Sequence, residues 1–196
     1  MAIGKVVHSN SHIDYICQVF GPGEITTPPS PEDYAFGTFV RVPLEGVKRS
    51  QLVGIVYNTM LMNPEFGNLG PRLSPASDLA IFSPDYLNER GTVIGIMAVG
   101  SFSDEEGYQG VPLMAAQIGA PVERMTDDEI RQFHKKDANL RLGYIPVLLA
   151  QHNPLAVPLV LNILARIETL FPDERAQTRV LKSDLAWKFS VQSTSR

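Results

Sequence analysis

The sequence predicts an α+β protein, in which a small antiparallel β-barrel over residues 1–101 precedes a mixed helix and strand segment over residues 102–196 that packs beside it. Two observations favour this fold class. Five short stretches of strand-forming residues, separated by turn signals, precede residue 101, and no long helical pattern interrupts them before residue 75. A capping box and a long helical pattern appear after residue 101. The 15 glycines and 15 prolines among 196 residues agree with many turns and short elements.

The predicted barrel strands are rich in β-branched and aromatic residues, and several alternate between apolar and polar positions. Gly21 and Pro22 end the second strand, because glycine permits positive φ and proline removes a hydrogen-bond donor. Closing such short strands into a barrel removes exposed strand edges. The five predicted strands are Ile3–Val7, Ile13–Phe20, Thr38–Leu44, Gln51–Met60 and Thr92–Val99, with a short helical piece at Ser77–Leu87.

Signals for helices lie in the second segment. Thr126 and Glu129 have the spacing of a capping box, in which each side chain caps a backbone amide of the other residue. Asn153 precedes Pro154, and proline is favoured at the first helical position. The lone tryptophan, Trp187, is predicted to be buried. The predicted elements are helices over Asp127–Lys135, Pro154–Leu170 and Pro172–Ser183, and strands over Leu142–Leu149 and Leu185–Val191.

The composition argues against several classes of function. The chain has 17 Lys and Arg against 21 Asp and Glu, a formal net charge of −4, and no basic stripe for binding nucleic acid. The single cysteine, Cys17, excludes an internal disulfide and indicates a reducing compartment, so we expect a cytoplasmic protein. The longest apolar stretch, Tyr144–Ala165, contains prolines and several polar residues, so we predict no membrane span.

Serine, histidine and aspartate residues are concentrated around the first predicted turn: His8, Ser9, Ser11, His12 and Asp14. A hydrolytic triad needs these residue types to converge in space beside an oxyanion hole, whereas neighbours along a strand or turn point to different faces. No Gly-x-Ser-x-Gly motif is present. We therefore predict a polar hairpin turn here and no catalytic residue. The alternative is a hydrolase that uses the His12 and Asp14 region or the acids at 104–106.

No set of residues in the sequence predicts a metal site or a cofactor. Of the four histidines, at 8, 12, 134 and 152, His8 and His12 could approach each other across the predicted turn, but no third ligand is evident. The acidic runs Asp104–Glu106 and Asp127–Glu129 are interpreted as solvated charge, because neither has the spacing of a calcium loop. Cys17 lies in an apolar strand and is expected to be a buried, inert thiol. A phosphate-binding loop and a Gly-x-Gly-x-x-Gly motif are both absent.

Three stretches of the chain have the residue pattern of a known barrel family. They comprise Ile3–Val7 with Tyr15–Phe20, Phe36–Val42 with Leu52–Tyr57, and Gly119–Val122 with the Glu129 helix and Leu142–Ile145. In these stretches the chain resembles the HAS barrel, the N-terminal module of HerA-type DNA-translocating ATPases that also occurs in ATP synthase subunits. The first two stretches are similar to strand pairs of that barrel, and the third is similar to the linker that leads into the ATPase core.

The resemblance implies a role in assembly. The Walker A and Walker B motifs and the arginine finger of the family's ATPase core are absent, so no catalytic residue is carried over. HAS barrels form a ring and dock a nuclease in HerA-like motors, and they form a crown in ATP synthase. A stand-alone copy is thus expected to be a non-enzymatic interaction module, which forms homo-oligomers or docks onto a separate P-loop ATPase or nuclease.

A nucleic-acid-binding barrel is a third hypothesis, beside the assembly module and the hydrolase. Small barrels bind single strands with aromatic residues and a basic groove. Strand alternation is expected to place several of the available aromatic residues inside the barrel. The aromatic residues concerned are Tyr15, Phe20, Phe36, Phe39 and Tyr57. We favour the assembly module, and direct binding of nucleic acid is not expected.

Overall fold

The strands and helices are taken from a computed structural model, which describes residues 1–46, 50–63, 91–103, 106–136, 139–151 and 153–194. The main strands in these ranges are β1 (Ala2–Ser9), β2 (Asp14–Val19), β3 (Phe39–Pro43), β4 (Ser50–Met62), β5 (Gly91–Ser103), β6 (Glu106–Gln109) and β7 (Pro121–Arg124). A short hairpin consists of β8 (Lys135–Lys136) and β9 (Asn139–Leu140). The helices are α1 (Asp127–His134), α2 (Ile145–Ala150), α3 (Ala156–Leu170) and α4 (Arg175–Thr194), with 3₁₀ turns at Pro31–Tyr34 and Pro172–Glu174.

Six of the strands close into an antiparallel barrel. Their order is β2-β1-β7-β3-β4-β5, and β5 pairs back onto β2. β6 is an extra strand that pairs with the end of β5. The protein is therefore an α+β protein with a small antiparallel barrel, which confirms the predicted fold class. The five predicted barrel strands correspond to β1–β5.

The strand that closes the barrel comes from the second half of the chain. β7 pairs with β1, where Val122 lies opposite Gly4, and with β3, where Arg124 lies opposite Val40. It lies beyond residue 101, in the segment that we predicted to pack beside the barrel. A four-residue strand that begins with proline is too short to show apolar and polar alternation, so the sequence pattern did not reveal it.

Two apolar cores lie on opposite faces of the barrel strands. One contains Cys17, whose thiol is fully buried, and burial raises its pKa to about 12. The prediction that this thiol is buried is thus confirmed. The other core joins the opposite face of β3, β4 and β5 to the helices. α3 provides most of the helical side of this core, through Leu159, Val160, Ile163, Leu164 and Ile167.

His134, at the end of α1, is fully buried in the second core. Its Nδ1 lies 2.7 Å from the carbonyl oxygen of Ile130, and its Nε2 lies 2.8 Å from the hydroxyl oxygen of Tyr144. A carbonyl only accepts, so Nδ1 donates to Ile130 and Nε2 of the neutral ring accepts from Tyr144. Burial lowers the pKa of His134 to about 4. The aromatic rings in contact with it are Phe39, Phe133, Tyr144 and Phe171.

The predicted capping box at the start of α1 is confirmed. Thr126 Oγ1 accepts a hydrogen bond from the Glu129 backbone amide at 3.3 Å, and Glu129 Oε2 accepts from the Thr126 amide at 2.7 Å. The Glu129 carboxylate also forms an ion pair with Arg41 of β3. Arg41 binds Glu123 of β7 at 2.7 Å as well. This network therefore attaches α1 to two neighbouring barrel strands.

Two predicted strands are helical in the structure. The prediction at Leu142–Leu149 is wrong because α2 begins within it: Pro146 fits the first turn of a helix, and a short apolar run does not distinguish a strand from a buried helix. The prediction at Leu185–Val191 is also wrong, because these residues continue α4. Leu181 and Leu185 lie one helical turn apart and pack against the second core, so the helix continues past Ser183, where we predicted its end.

The outer face of α4 is exposed. Trp187 has 65% of its surface exposed, so the prediction that it is buried is wrong. Val180, two turns earlier on the same face, is 71% exposed. The opposite face of α4 packs on α3, where Lys182 binds Glu168 at 3.0 Å. In the described part of the chain, no helix is long and apolar enough to cross a membrane. The predicted helical piece at Ser77–Leu87 lies outside the described residues.

Candidate interaction surface

The polar cluster around the first turn is a hairpin connection, as predicted. Residues 10–13 join β1 to β2, which pair in antiparallel register from Ser9 and Tyr15 onward. The Asn10 amide donates to the Asp14 carbonyl at 2.8 Å, which closes the turn. The Ala98 amide of β5 donates to the Ile13 carbonyl at 2.7 Å, so the turn is also attached to the barrel wall.

His12 and Asp14 bind different groups rather than each other. His12 Nε2 donates to the carbonyl oxygen of Pro112 at 2.7 Å, since a carbonyl can only accept. The Asp14 carboxylate accepts from the Tyr57 hydroxyl at 2.8 Å and from the Asn10 side-chain amide at 3.0 Å. Burial, together with the nearby Asp14 carboxylate, raises the pKa of Tyr57. Both side chains are therefore engaged in holding the hairpin and a distant loop.

The hydrolase hypothesis has no geometric support in the described residues. Ser11 Oγ accepts from the Ile13 backbone amide at 3.4 Å and has no hydrogen bond to His12. Of the acids at 104–106, Asp104 and Glu105 lie outside the described residues. Glu106 binds Lys136 at 2.8 Å, and this hydrogen bond lowers the pKa of the Glu106 carboxyl. No group of three or more His, Cys, Asp or Glu in the described ranges is placed to hold a metal ion.

The loop between β6 and β7 exposes an unusual concentration of apolar side chains. We call residues 111–119 the apolar loop. Its apolar side chains are exposed by 48% at Val111, 92% at Leu113, 41% at Met114 and 79% at Ile118. Scattered apolar residues on a surface need no explanation, but a contiguous exposed apolar segment is typical of an interaction site.

The apolar loop is attached to the barrel by its backbone. The Pro112 carbonyl accepts from His12, and the Ala116 amide donates to the Tyr15 hydroxyl at 3.2 Å. The Gly119 amide donates to the Val6 carbonyl at 2.8 Å. Tyr15 in turn donates its hydroxyl hydrogen to the His12 carbonyl at 2.8 Å. Backbone bonds to the barrel therefore hold the loop in a conformation that leaves its apolar side chains in solvent.

The apolar loop carries no pattern that predicts an interaction surface from the sequence. Residues 111–116 read Val-Pro-Leu-Met-Ala-Ala, a run without helical or strand periodicity, so no element is predicted there. One signal in the sequence could have indicated an exposed apolar surface here: residues 111–116 contain no polar side chain, whereas surface loops are normally polar. The hydrogen bonds that hold the loop join residues about 100 positions apart, and no local pattern shows them.

The aromatic residues considered for nucleic-acid binding do not form a stacking surface in the described barrel. Tyr15 and Phe39 are 2% exposed, and Tyr57 is 9% exposed. Phe20 and Phe36 are partly buried, and the Lys5 ammonium lies 5.8 Å from the centre of the Phe20 ring. Stacking on bases requires exposed aromatic faces, so the geometry of these five residues does not favour this hypothesis.

A closed six-stranded barrel with a helical layer and an exposed apolar loop defines a small α+β barrel protein. The chain belongs to the DUF8166 family, a domain of unknown function whose family model matches residues 1–196. A search of curated proteins finds no match to the chain.

Proposed function

We propose that this protein is a non-enzymatic assembly module, a HAS-like barrel that self-associates through the apolar loop and docks onto a separate P-loop ATPase or nuclease. The observation that carries the proposal is the apolar loop itself, with Leu113 92% and Ile118 79% exposed on a backbone bonded to the barrel. In keeping with the cytoplasmic localisation expected from the single cysteine, the partners are cytoplasmic proteins.

The energetics of the loop support association. Removing a leucine or isoleucine side chain from water stabilises a complex by about 1.5–3 kcal/mol. Since the loop is already ordered by its bonds to His12, Tyr15 and Val6, little further conformational entropy is lost when a partner covers it. The loop thus has both an apolar surface and a preorganised backbone.

The barrel architecture also supports the proposal. The first two stretches that resemble HAS barrels overlap β1–β4, which belong to the closed barrel. In HerA-type ATPases and ATP synthase, the HAS barrel serves assembly, and the catalytic motifs lie outside the barrel. The polar side chains at His12 and Asp14, which the hydrolase hypothesis requires, are instead bonded to Pro112, Tyr57 and Asn10.

The proposal is tested by affinity capture from a native extract that contains a second, differently tagged copy of the chain. Three baits are compared by mass spectrometry: wild type, Leu113→Glu in the apolar loop, and Leu61→Glu. Leu61 is 82% exposed in β4 and outside the loop, so it is a matched control for Leu113. We expect wild type and Leu61→Glu to recover the second copy and a P-loop ATPase or nuclease in fixed ratio. Leu113→Glu should not recover the second copy, because the apolar loop mediates self-association in this proposal.

Equal recovery of the second copy by the Leu113→Glu bait would show that the loop is not the interface. A wild-type bait that recovers neither its own copy nor an ATPase or nuclease would contradict the assembly role as a whole. Circular dichroism of the three purified baits provides the folding control, because both substituted leucines are exposed.

A further inference from the structure

A cleft of about 180 Å³ lies between the barrel and the helical layer. Its walls come from the turn before β3, the end of β7, helix α1 and helix α3. Phe36 provides partly exposed apolar surface, whereas Met125 and Ile130 are each only 3% exposed. Arg124, Asn162 and Arg166 provide polar side chains. Asn162 and Arg166 lie one turn apart on α3, so they share a face of that helix. The cleft thus combines an apolar wall with several hydrogen-bond donors.

Both arginines have donors to spare. Arg124 Nη1 binds Asp33 at 2.9 Å, and Arg166 Nη2 forms an ion pair with Asp127. A guanidinium carries five N–H donors in a planar fork, so one carboxylate contact leaves most of them unused. The two side chains are 42% and 41% exposed, which leaves them accessible from solvent. The side-chain amide of Asn162 has no hydrogen-bond partner among the described residues.

Gly37 keeps the cleft open beside Asn162. Its φ is +87°, in the region that favours glycine, and a Cβ added there would lie 2.1 Å from Asn162 Oδ1. Any larger residue would therefore displace the Asn162 side chain and fill part of the cleft. The positive φ therefore favours glycine at this position.

We infer that this cleft binds a single carboxylate group, such as the side chain of an acidic residue in a peptide. Guanidinium and amide donors match the planar carboxylate, and the partly exposed Phe36 side chain would contact the methylene groups that precede it. The charges of Arg124 and Arg166 are balanced by those of Asp33 and Asp127, so a singly charged carboxylate is favoured over a doubly charged phosphate. This inference does not rest on the assembly role proposed above.

The test is a titration followed by ¹H–¹⁵N NMR, which reads the Asn162 side-chain amide and the Gly37 backbone amide directly. Three probes are used: N-acetylglutamate methylamide, its neutral glutamine analogue, and inorganic phosphate. We expect the glutamate probe to shift both signals saturably. The glutamine analogue and phosphate should bind at least about tenfold more weakly, because only the carboxylate accepts paired hydrogen bonds without excess charge.

Two variants and one control locate the site. Arg166→Gln should weaken the glutamate probe about tenfold, and Asn162→Leu, which leaves both ion pairs intact, should weaken it to a similar degree. Arg131→Gln is the control: Arg131 binds Asp128 at 2.7 Å, is 45% exposed and does not line the cleft, so binding should not change. Equal binding of the glutamine analogue, tighter binding of phosphate, or no saturable shift in the wild-type protein would overturn the inference.

Discussion

Acidification from pH 6.5 to pH 4 is expected to remove about 3 kcal/mol of folding stability through His134 alone. Burial lowers the pKa of this histidine to about 4, whereas a histidine in the unfolded chain keeps a value near 6.5. Between these values the unfolded state binds a proton that the folded state excludes. The stability that the neutral His134 ring contributes is therefore complete above about pH 6.5, is lost as the pH falls, and changes little below about pH 4. Urea unfolding at a series of pH values measures this loss.

The His134→Gln variant separates this effect from that of other groups. Glutamine removes the titration while it retains hydrogen-bonding capacity toward Tyr144. The variant should be less stable than wild type at pH 7 but should lose much less stability between pH 6.5 and pH 5. His8→Gln is the control, because His8 is exposed in β1 and lies outside the contacts that hold the apolar loop, and it should retain the wild-type pH dependence. An unchanged pH dependence in His134→Gln would contradict the account of the buried neutral ring.

Two charges placed in the apolar loop should abolish self-association. Leu113→Glu with Ile118→Glu removes two exposed apolar side chains and introduces like charges into the interface that we propose. The lost burial alone amounts to about 3 kcal/mol or more, equivalent to a roughly 100-fold higher dissociation constant. Sedimentation velocity over a series of protein concentrations measures the change. The wild-type protein is expected to form oligomers in the micromolar range, and the double variant should remain monomeric.

The matched double variant for this experiment is Leu61→Glu with Met62→Glu. These two residues are 82% and 55% exposed at the end of β4, outside the apolar loop. They should not alter the association constant. Thermal unfolding of both double variants should match wild type, since all four side chains lie largely in solvent. If both double variants dissociate the oligomer equally, general surface charge rather than the loop controls association.

Most of the barrel was predictable, because β1–β5 are long enough for their strand-forming residues and the turns at their ends to be recognised in the sequence. β1–β5 follow from β-branched residues bounded by turns, and α1 follows from the Thr126–Glu129 capping box. β7 could not be predicted, since a four-residue strand has no measurable period. The error at Leu185–Val191 has a different origin. Packing of Leu181 and Leu185 against the second core extends α4 into a segment that alternates like a strand.

The interaction surface was less predictable than the fold. The polar cluster at His12 and Asp14 attracts attention as possible chemistry, yet His12 supports the loop that we propose as the interface. That role depends on a hydrogen bond between residues 100 positions apart, which only the closed barrel brings together. The exposure of Leu113 and Ile118 likewise follows from tertiary structure, because an apolar run in the sequence is equally typical of a buried segment.

The most direct test of the assembly role places a photo-crosslinking benzoylphenylalanine at position 113 of the purified chain and, separately, at position 61. Both leucines are largely exposed, at 92% and 82%, so accidental collisions label them to a similar extent. If the apolar loop is the interface, irradiation yields a covalent dimer in high proportion from position 113, and much less from position 61. Mass spectrometry should then map the crosslink to a second copy of the chain. Equal, low yields at both positions would contradict the proposal that the apolar loop mediates self-association.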